Sequence, residues 1–154
     1  MERQPTGWPI GSDYGMTAAR TKGDRLCPRD NAIAVRYEMP AETSHRAICH
    51  CSDCRRHAGA PMVAWGLVNK DQLKITGETK EYASSENGRR HFCANCGTAL
   101  FYTNEQIFPR QIDVQIATLD DPNEMVPELQ VQAAERIGWV EGLDRVPAFE
   151  RYPG

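Results

Sequence analysis

Residues 47–60 read AICHCSDCRRHAGA. Three cysteines fall within six positions, Cys49, Cys51 and Cys54, and a second pair follows in FCANCG at 92–97. Side chains alternate along a strand, so Cys49 and Cys51 point to one side and His50 to the other. A turn after Cys51 then carries Cys54 to the same point. Three thiolates converging from so short an element suit a tetrahedral Zn²⁺, with Zn–S about 2.3 Å and a fourth place open for water or substrate. Cys93-Ala94-Asn95-Cys96-Gly97 suits a tight knuckle, because Gly97 admits φ > 0 where the loop must turn back. A disulfide between positions i and i+2 is geometrically poor, and a bare surface cluster of thiols would be an oxidation liability. Metal binding is the reading of Cys49, Cys51 and Cys54.

Composition sets the class. The chain has 154 residues, 40% hydrophobic and 25% charged. Its mean hydropathy of −0.58 describes a soluble globular protein. A chain of this length buries about 68–70% of its unfolded surface, enough for one proper core. The net charge is −3, and no Lys/Arg cluster exceeds a pair, so the basic stripe a nucleic acid would need is missing. The first 25 residues lack the apolar core of a signal peptide, and no apolar run approaches the roughly 18–20 residues that span a bilayer. A cytoplasmic, reducing location with no membrane partner is the expectation. There, six cysteines serve as metal ligands or catalytic thiols rather than disulfides.

The pattern along the chain is mostly β. AIAVRYEM (32–39), HRAICHC (45–51), PMVAWGLV (61–68), QLKITG (72–77), TKEYAS (79–84), RRHFC (89–93), TALFYT (98–103) and RQIDVQIATL (110–119) are short, rich in β-branched and aromatic residues, and separated by turn signals. Asn87-Gly88 marks a two-residue hairpin between TKEYAS and RRHFC. In RQIDVQIATL, Ile112, Val114 and Ile116 share one face and Gln111, Asp113 and Gln115 the other, which describes a half-buried strand with a wet polar face. Helix is thin: one turn in SDCRRHAG opened by Ser52 or Asp53, and a short helix or turn at LDDPNEM. The tail, with three Gly and two Pro, reads as an irregular strap anchored by Trp139 and Phe149. The expected architecture is one small zinc-bearing β domain of short antiparallel strands over 26–154, preceded by an irregular arm over 1–25.

Two ligand partitions fit the spacing. Cys51, Cys54, Cys93 and Cys96 could close one structural four-sulfur zinc with Cys49 a bystander, although the gap between the pairs exceeds the usual 15–20 residues. Alternatively, Cys49, Cys51 and Cys54 form an open site and Cys93 and Cys96 belong to another. Around them, Arg55 is the first candidate to clamp a carboxylate in bidentate fashion, with Arg56, Arg89 and Arg90 as alternatives. For each, a solvated surface residue is the competing reading. His57 reads as a partly buried structural histidine, with an acid/base or stand-in ligand near the metal as the competing reading. His91 reads as a weak ligand candidate on the side of Cys93, and His45 as a surface residue.

The run CHCSDCRRHAGAPMVAWGLVNKDQLKITGETKEYASSENGRRHFCANCGTALFY at 49–102 resembles the core of the glutathione-dependent formaldehyde-activating enzyme family. Cys-x-Cys-x-x-Cys, small residues, a strand, a Lys-Ile-Thr-Gly hairpin and Cys-x-x-Cys-Gly occur in order, with Val35-Arg36-Tyr37-Glu38 ahead and Trp139 and Pro147-Ala148-Phe149 behind. The resemblance implies a β-rich zinc fold in which Cys49, Cys51 and Cys54 hold a catalytic zinc while Cys93 and Cys96 contribute to a structural one. It further implies glutathione as co-substrate and a carbon–sulfur lyase chemistry on S-hydroxymethylglutathione or another small thiol adduct. The family completes its structural site with a Cys-x-Cys just before the first of these strands. Here that region reads GDRLCPRDNAIAVRYE. With a short insertion Arg25-Leu26-Cys27 stands in the place and Cys27 is the surviving ligand, whereas without a gap Asp30 and Ala32 fall there and neither is a cysteine. Asp24, Asp30 and His91 are the substitutes at hand. A non-catalytic zinc-stabilised protein-binding module is the reading from another class. A Cys-x-x-Cys redox protein is weaker, because no βαβ pattern accompanies the pair.

Overall fold

Alternating Val35, Tyr37 and Met39 give β2 (Ala32–Pro40) one fully buried face, and this face organises the protein. The computed structural model describes residues 20–27 and 32–152, with side chains described from residue 34 onward. Strand β2 is the middle of a three-stranded sheet, between β1 (Arg20–Cys27) and β5 (Lys74–Gly77), both antiparallel to it. The other sheet has seven strands. They are β3 (His45–Cys49), β4 (Val63–Asn69), β6 (Thr79–Ala83), β7 (Gly88–Cys93), β8 (Ala99–Asn104), β9 (Gln111–Gln115) and β10 (Leu129–Val131). Their spatial order is β10-β3-β4-β9-β8-β7-β6.

The core lies where the inner face of β2 meets one face of the large sheet. Val35, Tyr37 and Met39 join Val68, Phe101, Ile112, Val114 and Ile116 in one buried cluster. Tyr37 meets Phe101 edge to face at 5.2 Å between centroids, an arrangement that satisfies both ring quadrupoles. The Tyr37 hydroxyl shares a 2.6 Å hydrogen bond with Thr118 Oγ1, so its polar tip is not left dry and unpaired.

The opposite face of the large sheet carries the residues of functional interest. Directly opposed residues in antiparallel pairs share a face. The pairings Cys49–Val63, Ala47–Trp65, Trp65–Gln115, Leu67–Asp113, Asp113–Tyr102 and Tyr102–Arg90 therefore align all of these side chains on one side.

Most of the predicted strands form, and the fold is mostly β with little helix; the departures have local causes. Arg20–Cys27, read largely as irregular arm, is a strand, because β2 presents an edge whose backbone pairing does not depend on side chains. Residues 1–19 of that arm lie outside the described residues. The sheet is mixed rather than purely antiparallel: β10 runs parallel to β3, reached by a long connection from β9 of the kind a parallel pair requires. The β6–β7 hairpin forms with residues 84–87 as its loop, not as a two-residue turn. Gly88 already belongs to β7, where a Cβ would come within 2.6 Å of Ser85 Oγ and 3.0 Å of the Tyr102 hydroxyl. Trp139 and Phe149 are exposed rather than anchoring the tail, which winds as a 3₁₀ segment over Gly138–Arg145. No helix among the described residues is long and apolar enough to cross a membrane.

The polar face of β9 is dry. Asp113 and Gln115 are buried beneath their cross-strand neighbours Leu67, Trp65 and Tyr102, and Asp113 Oδ1 has no hydrogen-bond partner. His45, half-buried rather than on the surface, brings Nε2 to 4.0 Å from that oxygen, and burial lowers the pKa of its ring. Burial pushes the Asp113 carboxyl from 3.8 up to about 7, since the anion has lost its water. Between those values the native state keeps a proton that the unfolded state has released. The contribution of this group therefore falls as pH rises through that window and is lowest above it. Asp113→Asn is expected to remove that decline, which amounts to at most about 4 kcal/mol. Thermal unfolding of both proteins at about pH 5 and about pH 8 checks this. Equal shifts in the two proteins would contradict the assignment.

Candidate metal centre

Strand β3 ends at Cys49, and the chain passes directly into α1 (Ser52–Ala58). His50 keeps the backbone in line, its N–H donating to the Val131 carbonyl of β10 at 3.1 Å. Cys51 is then the N-cap of α1, in extended conformation, with Sγ accepting from the Cys54 N–H at 3.3 Å. The cap is thus the cysteine itself rather than Ser52 or Asp53. A sulfur at the N-cap position does what a Ser or Asp oxygen usually does there, satisfying one of the unpaired amides of the first turn. Gly59 ends the helix at φ +63, a left-handed conformation open to glycine.

This junction brings the sulfur atoms of Cys49, Cys51 and Cys54 within 4.8 Å of one another. Cys49 and Cys54 are buried and Cys51 is half-exposed, so the cluster has a closed side and an open side. Val63 and Trp65 form its apolar wall, with Ala58, Tyr102 and Val131 packed against them. Three free thiols so close together cannot titrate independently. Hydrogen bonds donated by Cys49 and Cys54 hold the Cys51 thiol far below its usual range, with the Arg90 charge helping. Cys49 is pushed far above its usual range because its proton is shared with Cys51 and Cys54, and by burial.

A tetrahedral zinc with Zn–S of about 2.3 Å sets its sulfur ligands about 3.8 Å apart, so a small contraction of this triad fits the ion. The donors are all soft sulfur, which selects zinc-like metals over magnesium or calcium. Among the described residues, these three are the group able to hold a metal ion. Cys93 lies elsewhere, buried at the end of β7 in the cluster that contains Val35 and Leu100. Cys96 is exposed, with Sγ 3.2 Å from Thr98 Oγ1. The knuckle between them closes through Gly97 N–H to the Cys93 carbonyl, at φ +75. Cys51 and Cys54 therefore group with Cys49 and not with the second pair. The side chains of Cys27 and Asp24, and all of Asp30, lie outside the described residues. His91 is engaged with Thr103 Oγ1 at 3.3 Å and with Glu81. Strand β7 pairs with β6 without a register shift, so alternation keeps His91 on the side of Cys93.

The basic residues around the triad separate by environment. Arg55 donates from Nε to the His50 carbonyl at 3.0 Å, bracing the loop that carries the cysteines. Arg89 faces outward and donates to the carbonyls of Ser85, Glu86 and Gly88. Arg90, one residue on, is only 4% exposed, with both Nη atoms 3.7 Å from Cys54 Sγ and its guanidinium 4.9 Å above the Tyr102 ring. The surface reading of Arg90 is therefore overturned. Strand alternation in Gly88-Arg89-Arg90 was the signal that one of the two arginines must point inward. His57 is half-buried against Phe92, and burial and the Arg90 charge lower its pKa, leaving it neutral near pH 7. A cleft of about 340 Å³ opens beside the triad, lined by Asp53, Arg56, His57, Tyr82, Ser84 and Arg90. His50 is fully buried on the other side of the sheet, with Nε2 paired to Gln130 Oε1 at 2.8 Å. Nothing in the local sequence pointed to Gln130, which is eighty residues away.

Comparison with known proteins agrees with this architecture. A family model described as glutathione-dependent formaldehyde-activating enzyme matches residues 26–135. An uncharacterized lyase of Schizosaccharomyces pombe is 33% identical over 85 residues, 54% of this chain and 58% of that protein. A Podospora anserina protein, provisionally named a glutathione-dependent formaldehyde-activating enzyme, is 30% identical over 87 residues, 54% of this chain and 39% of its own length. An Aspergillus oryzae protein with the same provisional name is 25% identical over 133 residues, 79% of this chain and 61% of its own. The chain thus spans about half the length of the curated relatives it matches. A crystal structure of a Rhodobacter sphaeroides protein superimposes with a TM-score of 0.54, covering 71% of this chain and 99% of that one at 20% identity, which shows a shared fold.

The His50–Gln130 bond ties the cysteine loop to β10. Gln130→Ala leaves a buried imidazole nitrogen without its partner and is expected to cost about 1–3 kcal/mol. Urea unfolding of the metal-free protein measures it, and an unchanged midpoint would show that the bond does not hold the loop.

Proposed function

Because this chain belongs to the glutathione-dependent formaldehyde-activating enzyme family, we propose that it is a zinc-dependent carbon–sulfur lyase acting on a small thiol adduct such as S-hydroxymethylglutathione. The observation that carries this reading is the convergence of three sulfur atoms at one strand-to-helix junction, with one side closed and one open. Zinc held by Cys49, Cys51 and Cys54 would supply a positive centre that favours thiolate over thiol and polarises a carbonyl oxygen.

The chemistry is balanced and reversible. In the synthetic direction the thiol sulfur forms a bond to the formaldehyde carbon. The carbonyl π pair moves to oxygen, and the proton lost by the thiol ends on the new hydroxyl. In the lyase direction the same carbon–sulfur bond breaks. The chain's own residues supply position and proton traffic. Cys49 and Cys54, on the buried side, define the floor of the site, and Cys51 marks its mouth. The neutral His57 ring, with a buried Nε2 that lacks a hydrogen-bond partner, lines the adjoining cleft and can relay the hydroxyl proton. Arg55 keeps its Nη groups for a glutathione carboxylate while Nε braces the His50 carbonyl. Glutathione as co-substrate and a reducing, cytoplasmic setting belong to the same proposal, since free thiols persist there. Cys93 and Cys96, with Cys27, are proposed as ligands of a second, structural zinc.

Elemental analysis and exchange NMR between glutathione and S-hydroxymethylglutathione test the reading together. The wild-type protein is expected to carry zinc and to accelerate exchange, and Cys49→Ala to lose the triad's zinc and at least about tenfold in rate. An exchange rate no faster than the uncatalysed one, with stoichiometric zinc bound, would overturn the enzymatic reading and leave a zinc-stabilised binding module. Full zinc and activity in Cys49→Ala would restore the closed four-sulfur partition.

A further inference from the structure

We propose that Arg90 is the positioning residue of the sulfur cluster: its guanidinium donates to the Cys54 sulfur and supplies the counter-charge that a metal held by three thiolates requires. The inference rests on the zinc reading above and adds to it a residue outside the ligand set.

The argument begins with the strand. β7 alternates, so Arg89 and Arg90 go to opposite faces of the sheet, and only Arg90 enters the face that carries Cys49. Arginine is almost never buried without an anion beside it, because its charge cannot be removed by deprotonation. Arg36, Arg46, Arg89 and Arg136 each meet a carboxylate. Among the described residues no carboxylate pairs with Arg90, although it is the one buried arginine among them. What it meets is sulfur, with both Nη atoms at the same 3.7 Å from Cys54 Sγ. That symmetric fork is how a guanidinium addresses an anion, and it fits a thiolate better than a neutral thiol.

The surroundings hold the fork in place. Tyr102 stacks beneath the guanidinium at 4.9 Å, and Trp65 leans on Tyr102 at 6.4 Å, so the ring cannot swing away from the arginine. The cation–π contact steers the group without neutralising it. A dication bound by three thiolates is an anion overall. A fixed cation beside one of those sulfurs offsets that charge and withdraws electron density from the ligand, in the way outer-shell donors tune metal affinity. Arg90 also lines the cleft beside the triad, so its charge bears on whatever enters there.

The test uses the full chain, reconstituted with zinc and titrated against a chromogenic chelator, in wild-type, Arg90→Lys, Arg90→Gln and Arg89→Gln forms. Arg90→Gln is expected to weaken zinc binding by about 10- to 100-fold, and Arg90→Lys by less because it keeps the charge. Arg89→Gln, of the same charge change on the other face, is expected to bind as wild type. Replacing zinc with cobalt gives a second readout, the thiolate-to-cobalt charge-transfer band. It should shift in Arg90→Lys even if Arg90→Gln does not fold, because an ammonium cannot reproduce the two-nitrogen contact. Wild-type affinity in Arg90→Gln, equal losses in the Arg89 and Arg90 variants, or an unmoved cobalt band in Arg90→Lys would each overturn the proposal while leaving the zinc reading intact. A wild-type protein that binds no zinc would overturn both.

Discussion

Three sulfur atoms sharing one small volume is the constraint on which the rest of this structure turns. Thiolates repel one another, and holding them together requires a rigid frame and a source of positive charge. The frame is a strand that stops at Cys49 and a helix that starts after Cys51, with no slack between them. Backbone bonds to β10 on one side and the Cys51 cap on the other leave the loop little freedom. The positive charge comes from Arg90 below and, when bound, from the metal itself. Neither element would be useful alone, since a cluster without compensation would protonate or oxidise.

The large sheet divides its labour between its faces. One face buries Phe101, Val114 and Ile112 against Tyr37 and Val35, and this is the source of folding stability. The other carries Cys49, Trp65, Tyr102, Arg90 and Asp113 in a continuous cross-strand patch. Several polar atoms without hydrogen-bond partners lie on this second face, Asp113 Oδ1, Gln115 Nε2 and Arg90 Nε among them. Native proteins tolerate few such atoms, and where they persist they mark sites under functional rather than stability demands.

That division explains which readings of the sequence succeed. The β-branched and aromatic run AIAVRYEM identified β2, and the structure buries one side of that strand completely. The same logic misjudged β9, whose Gln and Asp positions looked solvent-facing. Burial of that face is imposed by Trp65, Leu67 and Tyr102, cross-strand neighbours on β4 and β8. His45 was misplaced for the same reason. Arg89 and Arg90 were indistinguishable as a basic pair, and only the strand's direction into the sheet separates a surface arginine from a buried one. The parallel strand β10 was invisible because three residues carry no periodicity of their own.

The chain itself determined the sulfur spacing, and with it that Cys49, Cys51 and Cys54 could meet. Two residues of strand followed by one helical turn is a local geometry, and local geometry is written in adjacent residues. It also determined the mostly β class, through short alternating runs broken by turn residues. Only the tertiary structure decided that Cys93 packs in the core apart from the triad, that Arg90 lies beneath Cys54, and that Gln130 fastens His50. These depend on which strands become neighbours, and strand neighbours are chosen by the burial of whole sheet faces rather than by any stretch of sequence read alone.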